Sequence, residues 1–269
     1  MAGQTEVALV MVTQTAQAGP HLPVGSRFYI GEEIGRRIVR RLTADGYAAI
    51  LGAVLPFGHS EFNASYPGCI QLSPETLAQV LVEVSQCLHR EGFKRLVIMN
   101  NAGGNPPSIK LAVHRLAALS DVRVYYLDLQ MLRPLALRGV LEGARPRDDS
   151  HGGEWETSCM LAIAPHLVDM SRAGCWYPDA DDDRNQLPFE GIGQHDRQLA
   201  LGVQHNQGWA GPTGIIGDST KGTPEKGERI LNNFAELIAA HIRKWVFELP
   251  PQAAQFGVNP EKWPKDNNR

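Results

Sequence analysis

The chain has 269 residues, 43% of them hydrophobic, and a formal net charge of −3; such a length buries a substantial core in one large domain or two, and the small charge gives no long-range attraction to nucleic acid or an anionic membrane. No apolar run approaches the roughly 20 residues that span a bilayer, and the opening MAGQTEVALVMV lacks the basic start and cleavage pattern of a secretory signal. Cys69, Cys87, Cys159 and Cys175 form no CxxC pair, so the expectation is a cytoplasmic protein with reduced thiols and neither nucleic-acid nor membrane partners.

Val7 to Val12 (VALVMV) reads as a strand buried on both faces. Glu32 to Asp45 has helical spacing in Ile34, Ile38, Val39 and Leu42, and Ala48 to Leu55 is a second apolar run. Ser73 caps a helix opened by Pro74 and running to about Arg90, with Leu77, Val80, Leu81, Val84 and Leu88 as its apolar stripe. Arg95 to Asn100 is a short strand, NAGGN a glycine turn, and Asn105-Pro106 the cap and first residue of a helix to about Ala118. A strand begins at Val122. Residues 131–153 read as a loop, and Glu156 to Ala164 as a short helix stopped near Pro165. The stretch 174–222 reads as a long surface excursion. Thr223-Pro224-Glu225 then starts a last helix carrying Ile230, Phe234, Leu237, Ile238 and Trp245. The alternation predicts an α/β fold, a mostly parallel sheet with helices on both faces, as one domain over 1–249 with a polar tail over 250–269. Ligands of such folds gather beyond the carboxyl ends of the strands, where the turns after Val12 and Asn100 lie.

Four segments could carry chemistry. In NNAGGNPP, Gly103, Gly104 and Asn105 let backbone N–H groups and a helix N-terminus approach an anion or oxyanion, or simply form a tight turn. It is no P-loop, since GK[ST] is missing, and the GIG at 191–193 lacks the strand a dinucleotide fingerprint needs. HGGEWETS joins His151, Glu154 and Glu156 at a helix start: a proton-transferring histidine beside carboxylates, or acids favourably placed on the helix dipole. PFGHSEFN brings His59 and Glu61 beyond the second strand, as a pocket wall or as loop residues. His21, between two prolines, could line a shaped pocket or make a structural hydrogen bond. His89, His114, His166 and His241 read as surface or packing residues. Cys69 and Cys159 are weak nucleophile candidates, with Cys159 favoured because a helix N-terminus could lower its pKa.

The stretches GPHLPVG (19–25), FGHSEFNASYPG (57–68), REGFKRLVIMNNAGGN (90–105), HGGEWETSCML (151–161) and TKGTPEKGERIL (220–231), in this order, make the chain resemble the creatininase (creatinine amidohydrolase) family. The resemblance implies a three-layer α/β fold, a homo-oligomer, often a hexamer, and hydrolysis of small cyclic amides by two bridged divalent metals (Zn or Mn). It also implies that the ligands are missing. Ala16 and Ala18 match a glutamate and a histidine of the first motif, Arg27 the bridging aspartate, Ala102 another histidine, and Asn63 a further histidine. Glu156 alone keeps a ligand type, and His151 matches a proton-transferring histidine. One carboxylate cannot hold two metals, so the expectation is no cofactor, unless His21, His59, Glu61 and Glu156 serve as relocated ligands. Arg27 is expected to pair with Glu156. The expected function is metal-independent hydrolysis of a small polar cyclic substrate, with His151, Glu154, Glu156 and Arg27 catalytic and His21, His59, Glu61, Asn63, Gly103, Gly104 and Asn105 binding. The alternative is a non-catalytic binding or structural protein paired with an active homologue.

Overall fold

The computed structural model describes residues 5–60, 63, 66–118, 122–146, 149–177 and 210–249. Four strands, β1 (Val7–Val12), β2 (Ala49–Leu55), β3 (Arg95–Asn100) and β4 (Arg123–Asp128), form a parallel sheet in the order β2-β1-β3-β4. The register sets Val12 beside both Leu55 and Asn100, and Asn100 beside Asp128, so all four carboxyl ends finish on one edge. A short antiparallel pair, β5 (Cys175–Trp176) with β6 (Gly217–Asp218), lies apart from this sheet.

The central strand explains the layers. All six side chains of β1 are fully buried, and they alternate between the two faces of the sheet. Leu9 and Met11 pack with α1 (Ser26–Ala44), α5 (Glu154–Ile163) and α6 (Pro224–Ile242), through Ile30, Ile34 and Ile38, Trp155 and Met160, and Phe234 and Ile238. Val10 and Val12 pack with α2 (Pro74–Arg90) and α3 (Pro106–Ala117), through Leu77, Leu81, Ile109 and Leu116. Each such aliphatic side chain contributes about 1.5–3 kcal/mol on burial. The result is the expected three-layer α/β fold. Among the described residues, no helix is long and apolar enough to cross a membrane.

Several local expectations hold and others need correction. Ser73 and Thr223 accept the amides of Thr76 and Lys226 and start α2 and α6. The stripe on α2 is rotated: Leu77, Ala78, Leu81, Val82 and Ser85 are the buried residues, while Val80, Val84 and Leu88 are half-buried. Helix α1 begins at Ser26 rather than Glu32; Gly25 provides no side-chain cap there, so no start signal stands in the sequence. The loop expected over 131–153 contains most of α4 (Leu129–Ala136), capped by the Asp128 carboxylate on the Gln130 amide, which continues through Pro134. Trp245 lies beyond α6, on a π-helical turn over Arg243–Glu248. The GIG at 191–193 and the tail over 250–269 lie outside the described residues.

Candidate functional site

Two asparagines lock the carboxyl edge of the sheet. The Asn105 side chain donates to the Thr13 carbonyl after β1 (3.1 Å) and to Asn100 Oδ1 (3.3 Å), and accepts the His59 amide after β2 (2.8 Å). Asn100 in turn accepts the Ala102 amide (3.0 Å) and donates to Asp128 at the end of β4 (3.1 Å). Asn105, expected as a helix cap and a binding residue, makes no cap bond; its side chain is spent on tying the loops together. Gly104 is a packing glycine, because a Cβ there would sit 2.0 Å from the His59 carbonyl oxygen, whereas a Cβ on Gly103 would meet open space.

On this edge, the start of α1, the turn after β3 and the start of α5 meet at one ion pair. Arg27 Nη2 lies 2.6 Å from Glu156 Oε1, with the guanidinium side chain 8% and the carboxylate side chain 0% exposed. Arg27 Nη1 also donates to the Asn101 carbonyl (3.1 Å), and the Asn101 side chain returns a bond to the Arg27 carbonyl (3.1 Å). Glu156 Oε2 accepts the Gly152 amide at 2.6 Å. Gly152 has φ +60°, and a Cβ on it would come within 2.0 Å of the Ala18 carbonyl oxygen, so only glycine lets the HGGEWETS segment lie against Ala18. Ala16, Ala18 and Ala102 are all buried.

His151 is also buried, and its Nδ1 lies 2.6 Å from the Gly214 carbonyl. A carbonyl only accepts, so Nδ1 carries the hydrogen and Nε2 of the neutral ring carries the lone pair. Burial lowers the His151 pKa; Glu156 acts to raise it and Arg27 to lower it further. The ring is therefore neutral around pH 7, in the tautomer a base needs. His21 packs beside the first turn of α5, with Nε2 2.8 Å from Thr157 Oγ1; burial, with Arg172 nearby, holds its pKa down at about 4.

The other expected site residues lie apart or do other work. Glu154 does not face this pair: its carboxylate accepts the amides of Glu142 and Gly143 (2.9 and 2.8 Å) and pairs with Lys226 Nζ at 2.6 Å, joining α5 to α6. His59 binds the Leu72 carbonyl through Nδ1 (2.9 Å). Asn63 is buried and donates to Ser60 Oγ (3.0 Å), with no partner for its Oδ1 among the described residues. Glu61 lies outside the described residues. Both thiol candidates have raised pKa values: burial pushes Cys159 well up, the reverse of the expected helix-terminus effect, and burial also raises Cys69. Two residues of the site went unread in the sequence. Asp149 is a buried carboxylate raised to about 7, mainly by burial. Arg133 on α4 is a guanidinium whose pKa is lowered by burial and by Arg27, against the pull of Glu156 and Asp149. Neither stands in a recognisable motif, and Arg133 falls where the chain reads as a loop.

A two-metal centre does not fit these side chains. The alanines offer no lone pairs, and a guanidinium occupies the Glu156 carboxylate at 2.6 Å. Among the described residues, which include His21, His59 and Glu156 but not Glu61, no three His, Cys, Asp or Glu side chains gather so as to hold a metal ion.

A parallel three-layer α/β protein with a polar site beyond the strand ends is the class this geometry defines. Within it, the chain matches the family model described as "Creatininase: Creatinine amidohydrolase" over residues 1–242. The chain belongs to the creatininase family. It is 27% identical to the creatinine amidohydrolase of Pseudomonas putida over 266 residues, covering 91% of this chain and 90% of that protein. It is 26% identical over 240 residues to the mycofactocin precursor peptide peptidase of Mycolicibacterium smegmatis, covering 89% and 85%. A crystal structure of creatinine amidohydrolase (creatininase) superposes with a TM-score of 0.67 at 25% identity, covering 93% of each chain.

Proposed function

We propose that this chain is a creatininase-family hydrolase that opens a small polar cyclic amide without the two-metal centre. The observation that supports this most is the buried Arg27–Glu156 ion pair, set beside a neutral His151 in its base tautomer. In this reading His151 Nε2 takes a proton from water as the water oxygen bonds to the ring carbonyl carbon. The carbonyl π electrons move to oxygen, where Arg27 receives the negative charge. The C–N bond then breaks, and the leaving nitrogen takes the proton back from the imidazolium. Glu156 keeps Arg27 aimed, and the product is an open-chain amino acid or amide acid. The working form is a homo-oligomer.

The test is a screen of cyclic amides, imides, lactones and cyclic ketones, on protein purified without added metal and analysed for metal content. We expect ring opening with well under one equivalent of metal per chain, and a loss of roughly 10²–10⁴-fold in kcat for His151→Ala with binding kept. Two tightly held equivalents of metal would refute the reading. A second reading, a non-catalytic binding or structural protein partnering an active homologue, is favoured by one feature: Ala18 is packed into the main hydrophobic core, filling space a ligand side chain would need. No turnover of any candidate by a metal-free, correctly folded protein favours this second reading.

A further inference from the structure

Helix α5 carries Glu156 in its first turn, yet its backbone cap residue is Gly153, which has no side chain to bond the free amides. Asp149, four residues upstream, does it instead. Its Oδ2 accepts the Glu154 amide at 2.6 Å and its Oδ1 the Trp155 amide at 3.2 Å. We propose that Asp149 is the positioning residue of this site, its carboxylate fixing the first turn of α5 and thereby the mutual placement of His151 and Glu156.

The surroundings are built around that carboxylate. A Cβ on Gly153 would lie 2.3 Å from Asp149 Oδ2, and one on Gly217 would lie 2.2 Å from it, so two glycines on different segments clear its space. The segment around His151 is then sewn to the residues just before β6: the Ser150 amide bonds the Ile216 carbonyl (3.0 Å), and the Ile216 amide bonds the His151 carbonyl (2.7 Å). The His151 ring bonds Gly214 in the turn before that segment, and Trp155 Nε1 returns to the Ser150 carbonyl at 2.9 Å. Asp149 thus fixes the helix turn that holds the partner of Arg27 to the histidine loop, whose backbone is bonded in turn to the segment that sets the His151 tautomer. The role rests on the reading of His151 and Glu156 as the working groups.

The test uses ¹⁵N-histidine ring spectra and amide hydrogen exchange on the full chain, wild type and Asp149→Asn, at pH 8, where the Asp149 carboxyl is ionised. Asparagine has nearly the same shape but only one accepting atom, so one of the two α5 amides loses its partner. We expect its exchange protection to fall about tenfold or more, the His151 ring signals to move away from the Nδ1–H tautomer, and Asp149→Ser, whose single acceptor is one atom shorter, to lose at least as much as Asp149→Asn. A cap of purely local importance would change exchange and leave the ring signals in place, which would overturn the proposal. Rapid exchange of the Glu154 and Trp155 amides in the wild type would overturn it as well, even if neither variant folds. Failure to turn over any cyclic amide would strike the proposed function alone, because the ring and exchange readouts need no substrate.

Discussion

Arg27 takes its meaning from Glu156. Removing a carboxylate or a guanidinium from water is costly, and the cost is recovered only when the partner and the remaining hydrogen bonds are in place. Here Asn101 and Gly152 supply those bonds. Arg27→Met is therefore expected to destabilise the fold by about 3–5 kcal/mol, because it strands a buried charge, while the double change Arg27→Met/Glu156→Met recovers most of that loss. Urea denaturation of both variants checks this, and a double variant as unstable as the single one would count against it. Two other buried groups set opposite pH slopes. His21, lowered to about 4, is neutral in the fold where the unfolded chain protonates; its contribution is complete above pH 6.5 and is lost as pH falls toward 4, on the order of 3 kcal/mol in all. Asp149, raised to about 7, keeps a proton that the unfolded chain releases near 3.8, so its effect runs the other way and stability falls as pH rises toward 7. Relative to wild type, His21→Gln is expected to lose less stability on acidification, and Asp149→Asn to gain on going from pH 5 to pH 8. Parallel stability curves would contradict both.

At the scale of elements, α5 is the piece on which the site depends. It is buried from Glu154 through Met160 and packs against both α6 and α1, which also pack on each other. Its seam with α6 has two parts. Glu154 and Lys226 form a largely buried pair, and Gly227 brings α6 against the α5 backbone, where a Cβ would lie 2.0 Å from the Ser158 carbonyl oxygen. A side chain there has to push the helices apart, so Gly227→Ala is expected to destabilise by about 1–3 kcal/mol despite the better helix propensity of alanine. Thermal unfolding measures it, and a neutral or stabilising result would mean that the seam yields easily. The polar side chains of HGGEWETS thereby divide: Glu154 holds Lys226 on α6, Glu156 pairs with Arg27, and His151 bonds the Gly214 carbonyl.

At the scale of the whole molecule, the parallel sheet brings four loops to one edge, and Asn100 and Asn105 bind those loops into a floor beneath the Arg27–Glu156 pair. The family fold is retained over nearly the whole chain. At its carboxyl edge the Arg27 guanidinium is fixed against the Glu156 carboxylate at 2.6 Å. The whole-molecule expectation is a homo-oligomer, seen by light scattering after size-exclusion as a single species of several chain masses; a monomer would refute it.

The strands β1 and β3, the starts of α2 and α6, and the family resemblance were all legible in the residues, because apolar runs, Ser and Thr caps and glycine turns act over a few neighbouring positions. That Ala16, Ala18 and Ala102 offer no lone pairs was equally legible, since alanine has none wherever it is placed. What local pattern could not carry was direction. That Glu154 turns to Lys226 and Glu156 to Arg27, that Asn105 ties loops instead of capping its helix, and that Asp149 and Arg133 come to the site at all are decided by contacts between segments far apart in the chain. Burial decided the rest: it raised the Cys159 thiol against the helix-terminus effect and kept His151 neutral, and burial is a property of the packed molecule.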